Sequence, residues 1–491
     1  MPKRVAIIDI GSNSARLVIY QRTSRFGFHL IHQQKSSIRI SEGTYENSGF
    51  LQPQAIKRAY SLISLFAQTL KEYKVKKLLA VATSAVREAP NKSEFISLIK
   101  RDFGIKIKVI SGEKEAFLSA FGAKNLLPIK DGITIDIGGG SADLALIENC
   151  QIKAIASLKL GTIRIKELFF DKKISTKEAK EYINKELEKI PSTFFNKTDI
   201  AITIGGTARA IAKVIMKNEK YPFDKIHAFT YDIKKSTPLL EKIIFSSKKE
   251  LKKLGVKEAR LDTIREGTLI FLEIFNYLKL KKSVVSGVGL REGLFLNDLL
   301  RNTNGRFPAN FNPSIRSIID RFDVLKLPKG NKFKIAKELY SILEDKISSP
   351  TKYYKYINDA LKLSDIGKIL TIYKEHQHAY YIAAQELNYG YWHSEILLIS
   401  FILRSKGEKL INKTLYKKYK SLLPPKKILK WLSFIYTLTL ILHENSAKSK
   451  YSFKIENNTL IIITPIDEYI IKEEIKKLKK PKEIKVKILN S

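Results

Sequence analysis

Up to about residue 305 the chain alternates short β-branched runs, small polar turns and helical stretches; beyond that, helical spacing takes over. Val5–Ile8 and Leu17–Ile19 flank a turn of small residues, and Ile133–Ile135 and Leu144–Leu146 flank a second one. Each run-turn-run predicts a hairpin whose tip lacks bulky side chains. Ile56, Tyr60, Ile63, Phe66 and Leu70 recur at helical spacing within 54–73, and 91–102, 114–122, 176–190 and 259–279 read as further helices. Residues 77–82, 105–110, 200–204 and 283–286 read as buried strands, and 291–300 as a last helix before the turn-rich linker 302–308. From 306 to about 445 the pattern is helical throughout, and 450–491 returns to alternating runs that predict a small sheet. The expected domains are therefore 1–125, 126–305, 306–445 and 446–491.

At 491 residues, with 44% hydrophobic and 28% charged positions, the chain has the balance of a globular protein of several domains. No uninterrupted apolar stretch approaches the ~20 residues that span a bilayer. The most apolar segments, 396–403 and 431–442, read as buried helices. The N-terminal residues pass almost at once into a strand, leaving no room for a cleavable signal. A single cysteine, Cys150, excludes an internal disulfide framework and a cysteine-based metal site. A cytoplasmic protein without a membrane partner is expected. The net charge of +39 is spread along the chain with no arginine-rich arm, which argues against a dedicated nucleic-acid tail. It suits an anionic substrate, although the abundance of lysine, isoleucine, asparagine and tyrosine gives it a purely compositional source as well.

Five segments carry candidate chemistry. The two hairpin tips are Asp9-Ile10-Gly11-Ser12-Asn13-Ser14-Ala15-Arg16 and Asp136-Ile137-Gly138-Gly139-Gly140-Ser141-Ala142-Asp143. Bare turns of this kind let backbone N–H groups approach a phosphate, and a carboxylate at the strand end can hold a divalent cation. Their duplication suggests two similar halves facing one phosphate site. Thr83, Ser84 and Arg87 follow a strand; Glu113 and Glu115 open a helix; and Gly205-Gly206-Thr207-Ala208-Arg209 feeds a helix N-terminus, which favours anions.

These five segments, with Arg260–Gly267 and Gly289–Leu294, resemble the exopolyphosphatase/guanosine pentaphosphate phosphatase family of the actin-like superfold, in the family's order over residues 1–300. The resemblance implies two actin-like (ribonuclease H-like) α/β domains followed by an all-helical domain and a small terminal β-containing segment. It implies hydrolysis of a terminal phosphoanhydride of polyphosphate or of guanosine pentaphosphate (pppGpp to ppGpp), with Mg²⁺ or Mn²⁺ as cofactor, by a homodimer. Glu115 occupies the position of the catalytic glutamate, with Lys114 replacing the family's preceding glutamate. Asp9, Asp136 and Asp143 match metal-organising carboxylates, Asp143 standing one methylene shorter than the usual glutamate. Gly11, Ser12, Asn13, Ser14, Arg16, Arg87, Gly138, Gly139, Gly140, Ser141, Gly205, Gly206, Thr207 and Arg260 are the implied phosphate-binding set. Arg291 and Glu292 read as a brace between domains.

The helical region resembles the domain that longer members carry, related to the His-Asp phosphohydrolase fold, on 363–367, 376–382 and 390–396. A metal site there wants a His-Asp pair, and this chain has Ser364-Asp365. His376, His378 and Asp365 are the remaining candidate ligands, and a scaffold role that lengthens an anion groove or forms the dimer is expected. His29, His32, His227 and His443 lack motif context and read as incidental. A kinase of the same superfold and a non-catalytic regulator that binds polyphosphate or alarmone are the alternatives to the hydrolase.

Overall fold

The first hairpin forms as its sequence dictates. Strand β1 (Arg4–Ile10) buries Val5, Ala6, Ile7 and Ile8 on both faces, the signature of a central strand, and turns into β2 (Ala15–Arg22). β3 (Phe28–Ser36) follows; α1 (Pro53–Glu72) starts on a proline and buries the single stripe Ala55, Ala59, Ile63 and Phe66. β4 (Lys77–Ala82), α2 (Ser84–Glu88), α3 (Lys92–Phe103) and β5 (Ile107–Val109) complete a sheet of order β3-β2-β1-β4-β5. The computed structural model describes residues 3–44, 48–323, 325, 330–347, 353–405, 411–445, 450–464 and 469–490. The chain partitions into two compact units, Met1–Phe311 and Asn312–Ser491.

Helix α4 (Gly112–Leu126) leads to a second sheet and is buried on most sides, as a connection between two layers must be. β6 (Gly132–Ile137), β7 (Ala142–Glu148) and β8 (Gln151–Leu158) repeat the opening meander. After α5 (Thr162–Ile165) and α6 (Thr176–Leu187) come β9 (Ile200–Ile204), α7 (Gly205–Asn218), β10 (Phe229–Asp232), α8 (Ile233–Phe245) and α9 (Lys248–Leu254). α10 (Ile264–Tyr277), β11 (Lys282–Val285) and α11 (Leu290–Leu299) close the unit. The second sheet runs β10-β11-β9-β6-β7-β8. Its β8-β7-β6-β9-β11 portion reproduces the order and directions of the first sheet, so the duplicated motif marks a duplicated fold. Separate apolar cores lie on each sheet.

The helix expected over 259–279 is shorter. Glu258–Arg260 is a tight 3-10 turn, and Thr263, with φ −141° and ψ 0°, departs from helical geometry before α10 begins. The break frees the Arg260 side chain to reach over Gly206, where a Cβ would lie 1.9 Å from its guanidinium.

The second unit carries α12 (Pro313–Phe322), α13 (Lys332–Ile347), α14 (Tyr354–Lys362), α15 (Glu375–Glu386), α16 (His393–Arg404), α17 (Lys413–Tyr419) and α18 (Lys426–Asn445). Leu339, Leu343, Ile357, Leu397, Ile399, Leu432 and Ile435 are fully buried among them. The alternating tail forms β12 (Ser452–Glu456), β13 (Thr459–Thr464), α19 (Tyr469–Lys477) and β14 (Lys485–Asn490), a three-stranded sheet with α19 in a crossover between parallel strands. Among the described residues no helix is long and apolar enough to cross a membrane.

Candidate active site

Both hairpin tips fold alike. Gly11 N–H donates to Ser14 O at 3.2 Å, and Gly138 N–H donates to Ser141 O at 2.9 Å. The base of each tip is also in register: Asp9 faces Arg16, and Asp136 faces Asp143. Gly139 packs against the Ser12 side chain, where a Cβ would meet Ser12 Cβ at 2.7 Å, so the two tips meet. Between them lies a cavity of about 140 Å³. Its wall includes Asp9, Asp136, Glu115, residues 11–14 and 138–141, Gly205–Thr207, Arg16 and Arg260. Most of the residues expected from sequence therefore converge on one place.

Glu115 reaches it from the first turn of α4, whose start is capped by Ser111 accepting from Lys114 N–H at 3.2 Å. Burial pushes its carboxyl well above the usual range, and the neighbouring Asp143 charge adds to this. Arg87 Nη1 lies 3.4 Å from Glu115 Oε2 and donates to Ile110 O at 3.0 Å. Asp136 is held by Ser119, one turn further along α4, whose hydroxyl donates to Oδ2 at 2.8 Å. Gly205 beside it has φ +93°, and a Cβ there would come within 2.8 Å of Asp136 Oδ1, so only glycine serves.

Two residues expected at the wall are not among those lining it. Arg87 turns its Nη1 towards Ile110 O and Glu115 and is not part of the wall. Asp143, expected as a metal ligand, accepts from Ser157 Oγ at 2.5 Å and from Ser141 Oγ at 3.1 Å, one hydroxyl on each oxygen. Burial raises its carboxyl to about 7 against those hydrogen bonds.

Two arginines with no assigned phosphate role do line the cavity. Arg209 comes from α7, and Arg291 from the first turn of α11 with Nη1 3.2 Å from Asp9 Oδ2. Glu292 keeps the bracing role, accepting from the Tyr20 hydroxyl at 2.6 Å and from Gly289 N–H at 2.9 Å. Burial, then Arg291 and Arg209, depress the Arg16 guanidinium, which nonetheless stays charged at ordinary pH. Four crowded cations with so few carboxylates form a site loaded for an anion.

Carboxylate oxygens are the hard donors that Mg²⁺ takes, and Asp9 and Asp136 fit such a cation at the two tip bases. Among the described residues no group of three or more His, Cys, Asp or Glu side chains forms a closed metal site. A cation here would take its remaining ligands from phosphate and water. In the second unit, Asp365 is already engaged by Lys368 at 2.6 Å, Lys332 at 3.4 Å and the Ser364 hydroxyl at 2.9 Å. Burial would raise its carboxyl, but the lysines override this and bring it down to about 2. Ammonium groups stand where the weak metal site was considered.

His227 is not incidental. Gly287 N–H donates to its Nδ1 at 3.0 Å, which leaves Nε2–H to donate to Leu126 O at 3.1 Å. The ring thus ties the end of α4 to the turn that carries Gly289 to the cavity. Burial lowers its pKa to about 4, so its contribution is lost as pH falls from the unfolded value near 6.5 towards 4. His227→Ala should leave two buried backbone groups unpaired and cost about 2–4 kcal/mol, read as a lower urea midpoint with unchanged slope.

A second chamber of about 790 Å³ shares Asn13 with the first and is lined by Ser37, Arg39, Lys166, Lys248 and several carboxylates, including Glu42 and Asp262. It lies in the size range of small-molecule sites.

Several known proteins are similar to this chain. The sequence is 32% identical over 290 residues to a bifunctional 3-dehydroquinate synthase/phosphatase of Fusobacterium nucleatum, covering 55% of this chain and 43% of that protein. It is 26% identical over 418 residues to a guanosine-5'-triphosphate,3'-diphosphate pyrophosphatase of Pseudoalteromonas translucida, covering 82% of this chain and 80% of that one. A solved Ppx/GppA family member from Aquifex aeolicus superposes with a TM-score of 0.53 at 27% identity, over 62% of this chain and 99% of its own. An exopolyphosphatase from Cytophaga hutchinsonii gives 0.55 at 25% identity over the same shares. The signature of the Ppx/GppA phosphatase family matches residues 18–302, more than half of the chain, including the second tip, Glu115 and the glycine turn at 205–207 but not the first tip. This chain belongs to the Ppx/GppA phosphatase family.

Proposed function

We propose that the chain is a Mg²⁺-dependent phosphohydrolase that removes the terminal phosphate of inorganic polyphosphate, of guanosine pentaphosphate, or of both. The observation that carries this reading is the convergence of two bare turns, two carboxylates, one buried glutamate and four arginines on one small cavity. The names of the relatives, a guanosine pentaphosphate pyrophosphatase and an exopolyphosphatase, support it.

In this reading, backbone N–H groups of 11–14, 138–141 and 205–207 hold the oxygens of the terminal phosphate. Arg16, Arg209, Arg260 and Arg291 neutralise charge that spreads onto those oxygens during transfer. Glu115 orients the attacking water and takes its proton, work for which its raised pKa suits it. Asp9 and Asp136 would hold Mg²⁺, which would supply neutralisation of phosphate charge. The adjoining chamber gives the rest of the substrate somewhere to lie. A cytoplasmic homodimer is the working form in this reading.

The test is phosphate release from long-chain polyphosphate and from guanosine pentaphosphate, side by side, with Mg²⁺ and with EDTA. Release from neither substrate overturns the reading, and ATP-dependent phosphorylation of an acceptor would replace it with the kinase. Asp136→Ala should lower turnover about 100-fold or more and abolish the response to Mg²⁺. Mg²⁺-stimulated turnover in that variant removes Asp136 from the metal site.

A further inference from the structure

Lys35 lies near the end of β3, directly opposite Arg16 in the β2–β3 register. Residues opposite one another on antiparallel strands project to the same face within about 5 Å, and like charges so placed are destabilising. Among the described residues its ammonium has no hydrogen-bonded or ion-paired partner. It is exposed, and not part of the wall that holds the terminal phosphate. β3 is an edge strand, and a lone lysine on an edge is an ordinary guard against strand pairing. A guard residue needs no cationic company, however, and this one faces the arginine cluster. Although the residue as a whole is exposed, partial desolvation of its ammonium, then the charges of Arg16, Arg260, Arg209 and Arg291, press its pKa down to about 8. These arginines come from β2, the 258–260 turn, α7 and α11, so four separate elements aim positive charge towards it.

The chain beyond Lys35 also matters. Ser37 and Arg39 line the second chamber, and Arg39 N–H donates to Asn13 O at 3.0 Å, Asn13 being the residue both cavities share. Residues 35–39 therefore run from the position opposite Arg16, which lines the terminal-phosphate cavity, towards the larger space. A substrate with its last phosphate among the arginines would carry its next anionic groups along this path.

Resting on the phosphohydrolase reading above, we propose that Lys35 is a specificity residue that binds the phosphates following the terminal one. Its repulsion by Arg16 is relieved when the phosphate chain lies between them. It recognises oligophosphate length rather than the bond that is cleaved.

The experiment compares Lys35→Ala, Lys35→Arg and Lys57→Ala, an exposed lysine of α1, with the wild type. Binding of tripolyphosphate is measured by calorimetry, and KM and kcat are measured on long-chain polyphosphate. Lys35→Ala should weaken tripolyphosphate binding and raise KM about tenfold with kcat within about twofold, whereas Lys35→Arg and Lys57→Ala should stay within about threefold of wild type. The wild-type kcat/KM should fall above about pH 8 as the ammonium loses its proton, and Lys35→Arg should flatten that limb. Unchanged binding in Lys35→Ala, or a fall in kcat alone, overturns the assignment, as does a wild-type chain that binds no tripolyphosphate. A wild type that binds tripolyphosphate but releases phosphate neither from polyphosphate nor from guanosine pentaphosphate refutes the hydrolase reading instead, and the binding ratio still judges Lys35.

Discussion

Glu115→Gln should lower kcat by about 10²–10⁴-fold while tripolyphosphate binding changes only a few-fold, because the phosphate-holding groups are other residues. The amide keeps the shape of the side chain and its reach towards Arg87, which lies 3.4 Å away, but takes no proton from water. Wild-type kcat/KM should rise with pH through a value above the ordinary carboxylate range, since the base works only when deprotonated and burial holds its proton on. Asp143→Asn removes the second cause of that rise and should move the limb to lower pH. Turnover of Glu115→Gln at the wild-type rate would dismiss Glu115 as the base.

Stability supplies the control. Glu115 binds its proton more tightly folded than unfolded, so its folded form is favoured below the unfolded pKa and loses ground as pH rises towards the folded value. At neutral pH the glutamine variant, which carries no buried charge, should melt at or above the wild-type temperature. Lost activity with undiminished melting separates a missing base from a damaged fold, in line with the tension between stability and function at active sites.

The duplicated Asp-Ile-Gly turn was legible because its residues are contiguous, and the register confirms that Asp9 and Asp136 sit at equivalent points of two like sheets. The same repeat explains where sequence reading fell short. Arg16 and Asp143 occupy the same cross-strand position, yet one lines the cavity and the other turns to two hydroxyls. The deciding partner is Ser157, paired with Asp143 across β7 and β8 and belonging to no motif. Arg87, a phosphate ligand by the family resemblance, sits in the single turn of α2, which directs its Nη1 to Ile110 O. Lys35 and His227 carry no local signal at all. Their roles come from cross-strand pairing and from a ring that bridges two backbone segments, relations that linear spacing does not encode.

Gly293→Ala should destabilise the first unit by about 3 kcal/mol or more, lowering its Tm by roughly 4–5 °C or more. A Cβ at 293 would lie 1.8 Å from Leu118 O, and one at Gly122 would lie 3.0 Å from both Gly289 O and Gly293 N. Helices α4 and α11 thus cross backbone against backbone, and the obstacle is a main-chain oxygen inside a helix rather than a side chain that can swing away. Forcing them apart also moves the site. Glu115 and Ser119 ride on the first, while Arg291, 3.2 Å from Asp9, rides on the second. Whatever fraction of the variant folds should therefore show a lower kcat, which a purely remote destabilisation would leave alone. Calorimetric melting with kcat measured well below the transition distinguishes the two. Wild-type values for both would mean that the crossing yields without consequence, and the alignment of base and arginine would then need another source than this pair of helices.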